Sequence, residues 1–124
     1  MNVIDTDLRY WAKELAARFL MERNFEVIVR DWEWGSGQTV DIIARDGGSL
    51  VFVEVGASEE APIPEPADRR AQRERFERAA FEFVARYEAS GVCVRLDEVH
   101  LMMNLNAGRA IIRHHIDVFA HPEA

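Results

Sequence analysis

Two acidic residues, Asp41 and Glu54, flank the tetrapeptide Asp46-Gly47-Gly48-Ser49 in runs that are otherwise apolar, Val-Asp-Ile-Ile-Ala and Leu-Val-Phe-Val-Glu-Val. A two-residue turn at Gly47-Gly48, where glycine tolerates the required positive φ, sets Asp46 opposite Ser49, Ile43 opposite Phe52 and Asp41 opposite Glu54. Directly opposed residues hold their Cβ atoms about 4.5–5.5 Å apart, and like charges so placed repel. A divalent cation, a shared proton or a nearby arginine would each offset that repulsion. Mg²⁺ or Mn²⁺, which take carboxylate oxygens and keep several waters, suit such a pair with Asp41 and Glu54 as metal ligands. The alternative is two acids at a wet sheet end, loosely matched to Arg30 or Arg45, although a charge buried in apolar runs is costly without a partner. Lys13 is the one lysine of the chain, so chemistry that needs an ammonium group has a single candidate.

These residues need a frame to hold them. From Asp5 or Thr6 as an N-cap to about Arg23, the spacing of Leu8, Trp11, Leu15, Phe19 and Leu20 predicts an amphipathic helix, with Asn24 as its C-terminal cap. Phe25 to Trp34 reads as a strand with Phe25, Val27 and Val29 on one face, followed by a turn at Gly35-Ser36-Gly37. Thr39–Arg45 and Leu50–Val55 form the hairpin that carries the two acids. Three of the four prolines and four acids fall between Ala57 and Asp68, which predicts a mobile loop at about 57–67 bordering the site. Phe76, Ala80, Phe83 and Tyr87 then mark a second long helix from Asp68 to about Ser90, ended by Gly91. Val92–Asn104 and Ala110–Ala120 read as a terminal hairpin around Asn106-Ala107-Gly108. The expected fold is a single α/β domain over residues 1–124, with a mixed five-stranded sheet flanked by two long helices.

Composition narrows the function classes. A chain of 124 residues, 48% apolar, buries an ordinary core without disulfides or a structural metal. A net charge of −7 argues against a nucleic-acid coat protein but leaves room for a local basic patch. The lone cysteine, Cys93, has no partner for an intrachain disulfide and reads as a small buried side chain in a strand, which makes the reducing cytoplasm the expected compartment. No apolar run approaches the roughly 20 residues that span a bilayer, and the opening MNVIDTDLRYW lacks the layout of a signal peptide, so no membrane partner is expected.

The segments AKELAARFL, VDIIARDGGSLVFVEV, VRLDEVHLMM and IRHHIDVF, with an arginine-rich helix between them, resemble the YraN-type family of endonuclease-like proteins along nearly the whole chain. The resemblance implies a restriction-endonuclease-like fold of the Holliday-junction-resolvase superfamily. Its PD-(D/E)XK motif sets Asp, Glu and Lys around a catalytic Mg²⁺, and its partner is DNA, branched DNA included. On that pattern Asp41 matches the motif's Asp and Glu54 its acid. The chain departs from the pattern in three places. Glu54-Val55-Gly56 stands where the family has Glu-Val-Lys, and Gln38-Thr39-Val40-Asp41 where it has Gly-Glu-Ile-Asp. The acid of the first helix falls at Lys13, with Glu14 one residue on and about 100° round the helix. By the hairpin count Thr39 faces Gly56, so both ends of a cross-strand ion pair are gone together.

Two interpretations follow. In one, Lys13 projects into the site and supplies the ammonium that Gly56 lacks, with Glu14 assisting. In the other, the fold is kept without efficient cleavage, as a nucleic-acid binder or as a protein-interaction domain or homodimer pairing through an exposed strand. Arg69, Arg70, Arg73, Arg75 and Arg78 could contact phosphates. However, the i,i+4 spacings Arg70–Glu74, Arg73–Glu77, Glu74–Arg78 and Glu82–Arg86 also describe a self-neutralised helix face. His114 and His115 point to opposite faces of a strand, and His100 and His121 lack a partner at ligand spacing, so all four read as non-catalytic. Trp11 belongs to the stripe of the first helix, while Trp32 and Trp34 share a strand face and either stack on bases or cover the sheet edge.

Overall fold

The computed structural model describes residues 3–59, 68–87, 89, 91–104 and 106–120, with side chains from residue 8 onward. Its elements are α1 (Val3–Glu22), β1 (Glu26–Gly35), β2 (Gln38–Asp46), β3 (Ser49–Glu59), α2 (Arg69–Tyr87), β4 (Cys93–Asn104) and β5 (Arg109–His115). The five strands form one sheet in chain order. Neighbours are antiparallel except β3 and β4, which run parallel with α2 as the crossover between them. This is the expected mixed five-stranded α/β architecture. α1 covers one face of the sheet over Ile42, Ala44, Val51, Val53, Val99 and Leu101, and α2 covers the other over Ile43, Leu50, Phe52 and Leu96.

α1 starts earlier than expected, so Asp5 and Thr6 lie inside the helix and do not cap it. Its buried face is Ala12, Ala16, Ala17 and Leu20, while Trp11 is exposed and meets Tyr10 edge-on. The helix is turned by about one residue, roughly 100°, from the stripe of large side chains, because small alanines let its backbone approach the sheet closely. Leu8, Leu15 and Phe19 pack along the flank of that contact. Asn24 ends the helix in the left-handed conformation (φ 69°), as expected.

β1 does not keep Val27 and Val29 on one face. Val27 pairs with Ala44 and Val29 with Ile43, so the register slips between them; Val27 packs under α1 and Val29 under α2. Trp32 is buried in the α2-side core against Phe83, and Trp34 packs on the same cluster, which makes both of them core residues.

β3 runs on to Glu59, where it pairs with Met103, so residues 57–59 of the expected loop are strand, and residues 60–67 lie outside the described residues. Long parallel pairing with β4 holds them there. Asp68 caps α2 by accepting the backbone N–H groups of Arg70 and Ala71 (3.0 and 3.1 Å). The final strand stops at His115 instead of continuing to Ala120: the backbone N–H of Val118 donates to Leu96 O (2.8 Å), and Phe119 stacks on Phe76, closing the α2-side core. Cys93 is exposed at the start of β4, a correction to the expected buried thiol.

Candidate functional site

The hairpin register matches the count from Gly47-Gly48 for five pairs, from Asp46↔Ser49 through Ile43↔Phe52 to Ile42↔Val53. It ends one step short of Asp41 and Glu54. At that point the alternation of β2 breaks: Ile42 packs beneath α1, whereas Val40, two residues away, packs beneath α2. Asp41 therefore leaves the ladder. Its Oδ2 accepts the backbone N–H of Val55 (2.8 Å), and its Oδ1 lies 3.5 Å from Lys13 Nζ on α1. Because the β2–β3 register stops at Ile42↔Val53, Thr39 and Gly56 are not paired; Thr39 keeps Glu33 of β1 as its partner, and Gly56 keeps His100 of β4.

Lys13 reaches the site. Its ammonium donates to Asp31 Oδ1 (2.8 Å) and faces Asp41, and Asp31 holds a positive φ of 50° in β1. The hydrogen bond to Asp31, reinforced by the Asp41 charge, raises the Lys13 pKa against the opposing effect of burial, so the side chain stays an ammonium. Glu14 turns elsewhere, accepting from Arg30 Nη1 at 2.6 Å. Beside Lys13, between α1 and β3, lies a cavity of about 250 Å³ lined by Arg9, Ala12, Lys13, Val55, Gly56 and Ala57. A Cβ at residue 56 would meet His100 Cδ2 at 3.2 Å, so a side chain there requires the imidazole to shift by a few tenths of an ångström.

Glu54 looks to the other face, toward α2. Gln72 Nε2 donates to both Glu54 Oε2 (2.9 Å) and Glu98 Oε2 (2.8 Å), and Arg69 Nη1 donates to Gln72 Oε1 (2.7 Å) and to Glu98 Oε2 (3.2 Å). Burial raises the Glu54 pKa; Gln72 and Arg75 oppose the shift, and the charges of Glu98 and Asp41 add to it. Glu54, without Asp41, thus opens a row that runs the other way across the sheet, since Glu54 pairs with Glu98 and Glu98 with His115. Among the described residues, no three His, Cys, Asp or Glu side chains already converge as a metal cage. The carboxylates of Asp41 and Glu54 are nevertheless donors of the type hard divalent ions take, and Glu54, whose charged form burial disfavours, is the group a cation would relieve.

The arginines of α2 divide. Arg69 turns inward onto Glu98, Arg70 is exposed, and Arg73 binds Glu77 (3.1 Å) with its guanidinium over the Phe119 ring (5.5 Å). Gln72 and Glu98 were not foreseen. The signal was present in Leu-Asp-Glu-Val, where two adjacent acids in an apolar strand must point to opposite faces, each needing a partner.

A model of Uncharacterised protein family UPF0102 matches residues 12–101. UPF0102 proteins of Roseiflexus castenholzii (35% identical, covering 88% of this chain and 90% of the relative), Beutenbergia cavernae (32%, covering 84% and 88%) and Nocardia farcinica (33%, covering 86% and 84%) are similar over most of their length. Among solved structures, the SfsA protein of Pyrococcus furiosus in complex with Ca²⁺ is a distant likeness. It is 16% identical with a TM-score of 0.39, covering 87% of this chain and 62% of that chain. No helix among the described residues is long and apolar enough to cross a membrane.

Proposed function

The chain belongs to Uncharacterised protein family UPF0102, the YraN-type restriction-endonuclease-like group, and on that premise we propose that it binds DNA, branched DNA included, in the reducing cytoplasm and hydrolyses its phosphodiester bonds with a divalent metal. The observation that carries this reading is the position of Lys13: the only lysine of the chain stands 3.5 Å from Asp41 and lines a cavity beside Val55, Gly56 and Ala57 of β3. An ammonium arriving from α1 supplies the positive charge that the motif draws from β3, and Arg9 adds a second cation to the lining of that cavity. Such a pocket suits a phosphate, with Lys13 orienting it by charge and Asp31 keeping the ammonium protonated. Asp41 and Glu54 would hold Mg²⁺ or Mn²⁺, which when bound lowers the pKa of a water and stabilises charge on the phosphate.

Cleavage of linear and four-way-branched DNA in Mn²⁺ tests the proposal. The parent protein is expected to nick DNA, with Lys13→Ala and Asp41→Asn each slowing it by about 10²-fold or more, in line with losing one electrostatic stabiliser. A parent that binds DNA with a steep salt dependence yet never nicks it would leave a binding protein only.

A second reading rests on the other edge of the sheet. β5 is an edge strand with Ile111 exposed beside Met102, and a non-cleaving homologue pairing with a second copy through this strand would form a homodimer.

A further inference from the structure

Glu98 is 2% exposed, and its two oxygens are treated differently. Oε2 accepts from Gln72 and Arg69, while the buried Oε1 has no hydrogen-bond partner. A buried carboxylate oxygen left unmatched costs on the order of 1–3 kcal/mol, and more when charged, so an orphan in the middle of a well-paired cluster asks for a ligand. The surroundings say which kind. Gln72, itself 1% exposed, is fixed in orientation because its Oε1 takes the Arg69 donor, so its amide nitrogen must face the two acids. Glu54 and Glu98 are therefore held side by side on adjacent strands with no choice of geometry. The next group in the row is His115, whose Nδ1 lies 3.7 Å from Glu98 Oε1. That separation is too long for a hydrogen bond. It is close to the distance of about 3.4 Å between two donors that each sit about 2.1 Å from one tetrahedral ion.

We infer that Glu54, Glu98 and His115 form a binding site for a first-row transition-metal cation such as Zn²⁺, distinct from the Asp41 side of Glu54. Two carboxylates with an imidazole select a borderline ion over Mg²⁺, which favours oxygen and water. The 60% exposed side chain of His115 is the movable ligand and the entry path, and its rotation toward Glu98 Oε1 completes the set. The site shares Glu54 with the hydrolytic reading above but needs neither Asp41 nor cleavage.

Calorimetric titration of the DNA-free protein with Zn²⁺, and separately with Mg²⁺, tests it. One Zn²⁺ is expected to bind the parent and Asp41→Asn alike, to be lost in Glu98→Gln, and to bind His115→Ala more weakly by on the order of 10–100-fold. Glutamine keeps the shape of Glu98, and His115 is at the surface, so at least the second variant reports on a folded protein. Zn²⁺ binding unchanged in His115→Ala and Glu98→Gln, or no Zn²⁺ binding by the parent, overturns the inference. The Mg²⁺ titration reports on the hydrolytic site separately, since its dependence on Asp41 stands or falls without Glu98 or His115.

Discussion

Asp97 and Glu98 are neighbours on one strand, yet they live in opposite circumstances. On the α1 side, the fully buried Asp97 accepts from His114 Nε2 (2.8 Å), Arg95 Nε (3.0 Å) and the backbone N–H of Asp117 (2.9 Å). Arg95 also reaches Asp46 (2.9 Å), and Arg23 Nη1 stands 2.9 Å from His114 Nδ1. Arginine only donates, so His114 Nδ1 accepts and its Nε2–H is left for Asp97, which assigns the tautomer of the ring. Every polar atom in this network serves to tie β4 to β5, to the hairpin turn and to the end of α1. On the α2 side, Glu98 keeps an orphan oxygen, and burial raises the Glu54 pKa by disfavouring its charged form. The first cluster is complete as folded, while the second is complete only with something added, which is the mark of a site rather than a scaffold.

Mutations should separate the two clusters. Asp97→Asn leaves Arg95 without its buried partner and is expected to cost about 3–5 kcal/mol in urea unfolding. Glu98→Gln is expected to change stability by no more than about 1 kcal/mol in the absence of metal, because removing an oxygen without a hydrogen-bond partner offsets the weakened contact of Oε2 with Arg69. An Asp97→Asn protein as stable as the parent, or a Glu98→Gln protein much weaker, would erase the distinction.

The pH dependence sharpens it further, with smaller effects. Burial alone would raise Asp97, but the hydrogen bonds of His114, Arg95 and Asp117 outweigh it and hold the carboxyl below its ordinary value. Its stabilisation is therefore present above the ordinary aspartate range and lost as pH falls through the lowered folded value. Glu54 is raised, so the unfolded chain gives up that proton first, and stability falls as pH rises from the ordinary glutamate range through the folded value. Unfolding measured between about pH 3 and 7 should show Asp97→Asn flattening the acid limb and Glu54→Gln removing the decline above it.

How much of this was legible depended on where the partners lie. The hairpin could be counted because Gly47-Gly48 and the alternating apolar residues are local, and the count held until β2 changed face at Asp41. Asp68 and Asn24 announced the helix ends by local chemistry as well. Trp11 misled because periodicity locates an apolar stripe, whereas the tight contact with the sheet was made by alanines one residue away. The slip between Val27 and Val29 is set by pairing with β2 and leaves no mark in β1 alone. Glu98 needed partners from α2 and β5, and only the assembled sheet sets Glu54, Glu98 and His115 in a row. Lys13 was singled out by being the one lysine, and the structure sets it beside Asp41.

The central claim is that Glu54 is an acid kept at a cost for a cation. The direct test is the melting temperature of the parent and of Glu54→Gln with and without Mn²⁺, at an ion concentration of about 100 times its dissociation constant, where one bound ion should add about 2.7 kcal/mol of stability. The account predicts a clear rise for the parent and none for Glu54→Gln. A parent unmoved by Mn²⁺, with Glu54→Gln simply more stable, would make the row of acids a repulsion that the fold tolerates and would contradict the account.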